Sequence, residues 1–568
     1  MRLPRTILKP VAFLAGLHAS SQVRSFLRAH QDARGYQDSL LQRMLEAHRE
    51  TDFGRDHGFS RISTYKEFIS AVPVGSYQTH RPYIDRLLEG HASALLPADQ
   101  RALMFSMTSG TTGQPKYIPV TPRFAAAMGR GWNVFGLMAL KAHPSAWLRP
   151  ILQISSPLRE MDSPTGLPCG AISGLLATTQ KKIVRRMYVV PQAVAAVPDA
   201  ATRYYTILRC GIGQDVSFIT TANPSSTIKL IETGQQHCQR LIMDVADGRI
   251  SPPGDLPQAV RQELHFRPNP SLARRLEKGI ARDGCLLPRH FWNISFLANW
   301  TGGTLKLYLP RLRELFDNAP IRDIGLLASE GRFSVPLEDG TAAGVADIES
   351  NFLEFIPAEF YGQANPPALR ADEVEVGREY YLVISNWTGL WRYNLDDCVR
   401  VTGKLGQSPI FEFLHRGSST ANITGEKITE HQVVEAMRHA SQAAGLKVER
   451  FLLQGHFASL PYYQLSVEGV DAAGADLLAR LLDEQLCRIN IEYQSKRCST
   501  RLGPVQAHIL PAGSLDRREH EQIAKRRGRS EQYKHQYLLT DVVSDAPATS
   551  SCYRTPSAAG PDAGRAGT

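Results

Sequence analysis

One nine-residue segment, Thr108-Ser109-Gly110-Thr111-Thr112-Gly113-Gln114-Pro115-Lys116, constrains this chain more than any other. An apolar approach precedes it and a short strand-like run, Tyr117 to Val120, follows, so it reads as a loop between two strands. Its glycines let the backbone approach a ligand closely. Its hydroxyls, amides and closing lysine are the parts of a phosphate cradle. It is not a Walker A loop, because Pro115 stands five residues after Gly110, where that motif needs glycine. Taken alone, the same composition also suits a polar turn.

The chain is 568 residues long, which calls for two to four packed units. Val23, Phe26, Leu27 and then Leu40, Leu41, Met44 and Leu45 fall at helical spacing and predict two helices within residues 18–50. The middle of the chain alternates helical segments with β-rich pieces at Ile151 to Ile154, Val216 to Thr220, Ile324 to Ala328, Phe352 to Ile356 and Tyr380 to Ile384. That alternation predicts an α/β sheet core. After Phe411 to Leu414 the character changes. Thr429 to Gln432 fits a capping box, strand-like runs follow at Phe451 to Gln454 and Tyr462 to Val467, and a helix carries Leu477, Leu478, Leu481, Leu482 and Leu486. The expected division is a large unit over 1–415, a small one over 416–543, and a disordered tail over 544–568, rich in Ala, Pro, Ser, Gly and Thr.

Several classes are excluded. Apolar residues make up 43% and charged residues 21%, which rules out collagen-like, coiled-coil and wholly disordered chains. No apolar run approaches eighteen residues, so no transmembrane helix is expected. The net charge of +10 suits anionic ligands without calling for nucleic acid. The basic clusters, Lys181, Lys182, Arg185 and Arg186, and Lys525, Arg526, Arg527 and Arg529, lack aromatic interleaving and read as solvated helix faces or termini. The eight cysteines form no C-x-x-C, which argues against zinc and fits a reducing cytoplasm. His520-Glu521 fails as a metalloprotease motif because Ala524 replaces the second histidine. Arg2, Arg5 and Lys9 before Pro10 to Leu17 imitate a secretory signal, but Pro10 and Gly16 interrupt the apolar stretch, and a helix packed on the first unit is the expected reading.

The loop resembles the nucleotide motif of the adenylate-forming superfamily of acyl-CoA ligases, luciferases and peptide-synthetase adenylation domains. Two further segments resemble the second and third motifs of one branch, the GH3 family of acyl acid–amido synthetases: Leu326-Leu327-Ala328-Ser329-Glu330-Gly331, and Trp391-Arg392-Tyr393-Asn394-Leu395-Asp396-Asp397 with Arg400 to Gly403. Val72-Pro73-Val74, Tyr77, Pro82 to Ile84 and Gly90, then Trp300 to Pro310, Phe411 to Arg416, Gly425 to Lys427 with Glu430, and Gln532 to Lys534 extend the likeness over nearly the whole chain in the family's order. The resemblance implies a large N-terminal adenylate-forming domain of β-sheets and flanking helices, with a smaller, mobile C-terminal α/β domain.

It also implies roles. Ser109, Gly110, Thr111, Thr112 and Gly113 would hold the ATP phosphates, with Ser329 beside them. Glu330 would bind Mg²⁺, which is usually held by one or two carboxylates plus substrate phosphates. Asp397 would take both ribose hydroxyls, as a carboxylate's two oxygens allow. Arg416 falls at the family's inter-domain hinge, and Lys534 would offset charge developing at the α-phosphate. Departures are visible. Arg332 and Phe333 stand where plant members carry an aromatic residue against adenine, and a guanidinium plane stacks as a ring does. His535-Gln536 replaces a common Pro-Arg.

The implied activity is ATP-dependent adenylation of a carboxylic acid, then transfer of the acyl group to an amino acid or other amine. Rival expectations are a thiol acceptor, coenzyme A or a carrier protein, and a non-catalytic nucleotide- or acid-binding protein. For the acyl pocket the sequence offers Trp292, Phe296, Trp300 and Leu305, most of them better suited to core packing. His290 and His431 are titratable, but neither stands out as a base for the amine. The acid, the amine and the oligomeric state are not legible.

Overall fold

The computed structural model describes residues 20–109, 115–179, 182–417, 420–421, 423–424, 426, 428–458, 460–498, 502–525 and 535–544. These fall into two compact units, one within 1–418 and 516–535, the other within 419–515 and 536–568.

In the larger unit, a helix over 20–29 and helix α1 (Ala33–His48) are the two helices that the apolar spacing predicts. Asp32 caps α1 by accepting from the Gly35 amide, and Leu40, Leu41, Met44 and Leu45 are buried. Helix α2 (Tyr77–Leu88) begins at a Ser76 cap. Strands β1 (Met104–Ser109) and β2 (Pro115–Val120) then pair antiparallel, with Thr108 opposite Lys116 and Ser109 opposite Pro115. The glycine-rich segment thus joins two strands, as read from sequence. Helix α3 (Pro122–Ala142) follows.

Strand β3 (Ile151–Gln153) opens a second sheet, while β4 (Met161–Asp162) and β5 (Pro168–Gly170) complete the first in the order β2-β1-β5-β4. Next come helix α4 (Ala200–Ile212), strand β6 (Phe218–Thr221) and helix α5 (Pro224–Gln236), then β7 (Phe296–Asn299) and β8 (Ile321–Asp323). β3, β6, β7 and β8 lie side by side and all parallel, with helical crossovers between them. Leu152, Leu208, Ile219, Leu230 and Leu297 fill this α/β core.

A two-rung hairpin of β9 (Leu327–Ala328) and β10 (Gly331–Arg332) turns at Ser329-Glu330. Seven antiparallel strands follow: β11 (Ser334–Val335), β12 (Gly344–Ala346), β13 (Phe352–Pro357), β14 (Leu369–Arg370), β15 (Glu379–Ser385), β16 (Tyr393–Leu405) and β17 (Ser408–Arg416). Their order is β11-β12-β17-β16-β15-β13-β14. One face of this sheet packs on the N-terminal helices through Phe68, Phe352, Leu390 and Trp391. Trp391 is fully buried and meets Phe59 edge-on at 4.6 Å. An aromatic ring of this kind buries about 150–250 Å², roughly 4–6 kcal/mol of transfer free energy before entropy is subtracted.

In the smaller unit, helix α6 (Glu430–Ala444) starts at a capping box between Thr429 and Gln432, as expected. Strands β18 (Phe451–Phe457) and β19 (Tyr462–Val467), helix α7 (Ala472–Ile489), and strands β20 (Gln506–Ile509) and β21 (Leu538–Ser544) follow. The sheet order is β20-β19-β18-β21. Glu426 ties the entry to this unit, accepting from the Ile423 and Thr424 amides and from the buried Tyr463 hydroxyl. Among the described residues, no helix is long and apolar enough to cross a membrane.

Candidate functional site

The strand that enters the glycine-rich segment is fastened to the second motif. Ser106 of β1 donates its hydroxyl to the Ser329 hydroxyl at 2.8 Å. The strand that leaves it is fastened to the stretch that opens α2, because the Tyr117 amide donates to the Tyr77 hydroxyl at 2.9 Å and the Lys116 ammonium lies over the Tyr77 ring. The same stretch holds the third motif. Gly75 exchanges backbone hydrogen bonds with Arg392 and Asn394, and the Trp391 amide donates to His80 Nε2. Residues 75–80 are therefore a strap between the exit of the loop and the bend ahead of Asp397.

That bend is unusual in its backbone. Arg392 and Asp396 both have left-handed φ, 43° and 60°, which costs a non-glycine residue and needs outside support. Arg392 is supported by a buried carboxylate: its Nε lies 3.1 and 3.0 Å from the two Glu354 oxygens, its Nη2 lies 2.9 Å from Oε1, and its Nη1 donates to the Val72 carbonyl. Asp396 accepts from the Tyr361 hydroxyl at 3.0 Å, and its carbonyl accepts from the Gly417 amide.

Glu330 sits at the hairpin tip, only 2% exposed. Its backbone carbonyl accepts from Asn386 Nδ2 at 2.8 Å, and its carboxylate Oε1 accepts from the Tyr393 hydroxyl at 3.4 Å. Burial, with Glu330 next, pushes the Tyr393 hydroxyl far above its ordinary range, so it stays a donor. Asp397 of β16 is buried and faces Arg416 of β17 across the strand pair, Oδ1 to Nε 3.6 Å, with the Arg416 side chain 44% exposed. The Asp397 charge, and less strongly that of Glu330, holds the Arg416 guanidinium above its usual value against the pull of burial. The structure thus brings Glu330, Asp397 and Arg416 into one electrostatic neighbourhood, with Ser329 beside Glu330 at the hairpin tip.

A divalent cation fits Glu330. The carboxylate is buried oxygen, and among the described residues no Lys or Arg forms a salt bridge with it. Among the same residues, no group of three or more His, Cys, Asp or Glu side chains makes a complete metal cage. A cation here would take the rest of its shell from phosphate and water, which is how Mg²⁺ is usually bound.

Other expectations fare differently. Gly110, Thr111, Thr112, Gly113 and Lys534 lie outside the described residues, as does the tail from residue 545. Ser109 ends β1. Arg332 and Phe333, expected against adenine, are instead core residues with no exposed surface. The Arg332 guanidinium lies over Trp132 and donates to the Ile324 and Ser334 carbonyls, so no face is left for a base. Burial lowers it to about 10, opposed by Asp347 and Asp323. In the acyl-pocket region, Trp292 donates to the Gly211 carbonyl and Phe296 stacks on Phe218, both in the core. Leu305 is buried, while Trp300 is half-buried against Phe413. His290 is committed to Asp283 and the Leu287 amide. Sequence reasoning missed Asn386, and it quoted Tyr393 without a role. The turn composition Asn386-Trp387-Thr388-Gly389 was the only available signal for the former.

Comparison with known proteins gives the chain's family. The GH3 family N-terminal domain matches residues 22–321, the GH3 family central domain 344–416, and the GH3 family C-terminal domain 431–542. The chain is 25% identical over 533 residues to jasmonoyl–L-amino acid synthetase GH3.5 of Oryza sativa subsp. japonica, covering 87% of this chain and 90% of that one. It is 25% identical over 522 residues to indole-3-acetic acid-amido synthetase GH3.8 of Oryza sativa subsp. indica, covering 84% of each. In structure it is similar to the AtGH3.15 acyl acid amido synthetase in complex with 2,4-DB, with a TM-score of 0.79 at 20% identity, over 92% of this chain and 95% of that one. Motifs, fold and family models coincide over most of the chain, which belongs to the GH3 family.

Proposed function

We infer that this protein is an ATP-dependent acyl acid–amido synthetase. A carboxylate is inert to amines because its leaving group is poor and its charge repels nucleophiles. Attack of the acid's carboxylate oxygen on the α-phosphorus of ATP expels pyrophosphate and gives an acyl-adenylate. The amine nitrogen then attacks the acyl carbon, AMP leaves, and the nitrogen gives up a proton. The relatives named above act on jasmonate and indole-3-acetate; neither acid is assigned to this chain.

In this reading Ser109 and the Gly110 to Gly113 run hold the phosphates, Asp397 takes the ribose hydroxyls with Arg416 beside it, and Lys534 faces the charge developing between carboxylate and α-phosphate. Glu330 holds Mg²⁺, which would neutralise phosphate charge when bound. The observation that carries the reading is the buried Glu330 carboxylate at the tip of a hairpin fastened to β1, the strand that enters the phosphate loop. Arg332 and Phe333 have no part in it, because both are sealed in the core. Six described cysteines are free thiols, which suits a cytoplasmic location. The substrates are small molecules; nucleic acid has no role.

The test is product analysis. Protein, ATP and Mg²⁺ are incubated with aryl and aliphatic acids and with amino acids, and products are read by mass spectrometry. Amide and AMP in equal amounts are expected. A thioester with added coenzyme A and no amide would replace this reading with the thiol-acceptor one. Bound ATP without turnover for any pair would favour a binding protein.

A further inference from the structure

The β9–β10 hairpin pairs only Ala328 with Gly331 and Leu327 with Arg332. Two rungs do not hold a tip rigid, since even complete two-stranded hairpins are marginal alone. Yet the residues at this tip must place a carboxylate to within a fraction of an ångström if it is to serve a cation. The support comes from three segments distant in sequence. Ser106 of β1 donates to the Ser329 hydroxyl at 2.8 Å. Asn386, just after β15, donates Nδ2 to the Glu330 carbonyl at 2.8 Å. Its orientation is fixed, because Asn386 Oδ1 accepts both the Thr388 amide at 3.0 Å and the Thr388 hydroxyl at 2.6 Å. Tyr393, at the start of β16, donates to Glu330 Oε1 at 3.4 Å. All three groups are buried.

We propose that Ser106, Asn386 and Tyr393 are positioning residues that clamp Ser329-Glu330, and that the Tyr393 hydroxyl orients the Glu330 carboxylate for a divalent cation. The proposal rests on the reading of Glu330 as the cation ligand. A carboxylate presents about four lone-pair sites, and one long hydroxyl contact at Oε1 leaves acceptor capacity for a metal while biasing the orientation of the group. Groups that hydrogen-bond a metal ligand from behind set its orientation, and their loss typically costs about 10–100-fold in metal affinity. At 3.4 Å the Tyr393 contact belongs at the low end of that range.

The experiment uses the full chain and an ATP analogue with a methylene bridge between the α- and β-phosphorus atoms, which binds without reacting. Calorimetry follows analogue binding against Mg²⁺ concentration for wild type, Tyr393→Phe, Asn386→Ala and Glu330→Gln, with a thermal melt of each. Tyr393→Phe is expected to raise the Mg²⁺ concentration for half-maximal binding about 10-fold, with near-normal analogue affinity at saturating Mg²⁺. Asn386→Ala is expected to move the same midpoint in the same direction. A lower melting temperature with an unmoved Mg²⁺ midpoint would show a purely structural role and overturn the proposal. If Tyr393→Phe does not fold, an unmoved midpoint in Asn386→Ala overturns it equally. Glu330→Gln separates the two layers: a wild-type Mg²⁺ midpoint there removes the cation assignment, and the clamp's purpose with it.

Discussion

The bend before Asp397 depends on one buried ion pair, and removing its charge should be costly. Glu354 is wholly buried and Arg392 is 5% exposed. The guanidinium reaches both Glu354 oxygens, and Tyr65 donates to Oε1 at 2.9 Å. Glu354→Gln keeps the shape and leaves a buried cation without its anion. Breaking such a pair from one side costs about 3–5 kcal/mol. Replacing both partners, as Glu354→Met with Arg392→Met, removes both desolvation penalties and leaves the Val72 and Ile69 carbonyls without their donor and the Tyr65 hydroxyl with only the Ala368 carbonyl, about 1 kcal/mol each. The double variant should therefore be more stable than the summed losses of Glu354→Met and Arg392→Met predict, by at least about 2 kcal/mol. Urea denaturation followed by tryptophan fluorescence reads this, since Trp391 adjoins the pair in sequence. A loss below about 1 kcal/mol for Glu354→Gln, or a double variant as unstable as the sum, would show that Glu354 and Arg392 do not act as a buried ion pair.

Three further outcomes are expected. Burial lowers His30, His48 and His80 from the ordinary 6.5 to about 4, so between these values the unfolded chain takes up protons that the folded chain refuses. Stability is then full above about pH 6.5 and falls as pH drops toward 4, by up to about 1.4 kcal/mol per pH unit per histidine; urea midpoints against pH should show this, with a shallower slope in His30→Asn. Gly389 has φ 87°, and a Cβ there would stand 2.8 Å from the Leu95 carbonyl oxygen, so Gly389→Ala should lose about 1–3 kcal/mol in the same urea assay and displace the Asn386 turn. Asp397→Asn should raise the KM for ATP about 10-fold through the lost hydrogen bonds to a charged group, with only a modest fall in melting temperature because its Arg416 partner is 44% exposed; an unchanged KM would remove Asp397 from the ribose site.

Much of the fold was legible because its signals are local. Helix α1 announced itself by the spacing of Leu40, Leu41, Met44 and Leu45, and helix α6 by its capping box. Of the β-rich pieces read in the middle of the chain, Ile151 to Ile154 and Val216 to Thr220 hold strands of the parallel sheet, while Phe352 to Ile356 and Tyr380 to Ile384 lie in the antiparallel one. Strand β16 was less visible: its run contains Asn394, Asp396, Asp397, Arg400 and Lys404, and its burial follows from sheet neighbours rather than from its own composition. Ile324 to Ala328 looked like one strand, yet only Leu327–Ala328 pairs, because Arg332 and Ser334 satisfy the backbone of the preceding residues. In the site, Glu330, Asp397 and Arg416 were read from motif context. Arg332 was misread because its partners, Trp132 and the carbonyls around the hairpin, make a core position out of a charged residue. Asn386 was invisible because its partner is a backbone carbonyl 56 positions earlier, and no periodicity encodes such a contact.

If the buried Glu330 and the Asp397–Arg416 pair form an adenylation site, the protein catalyses carboxylate-dependent exchange of pyrophosphate into ATP. That exchange is measured over a panel of aryl and aliphatic acids with no amine present, for wild type, Glu330→Ala and Lys534→Ala. Exchange with at least one acid class is expected, lost in both variants while their melts remain cooperative. Exchange that persists undiminished in Glu330→Ala would contradict that site.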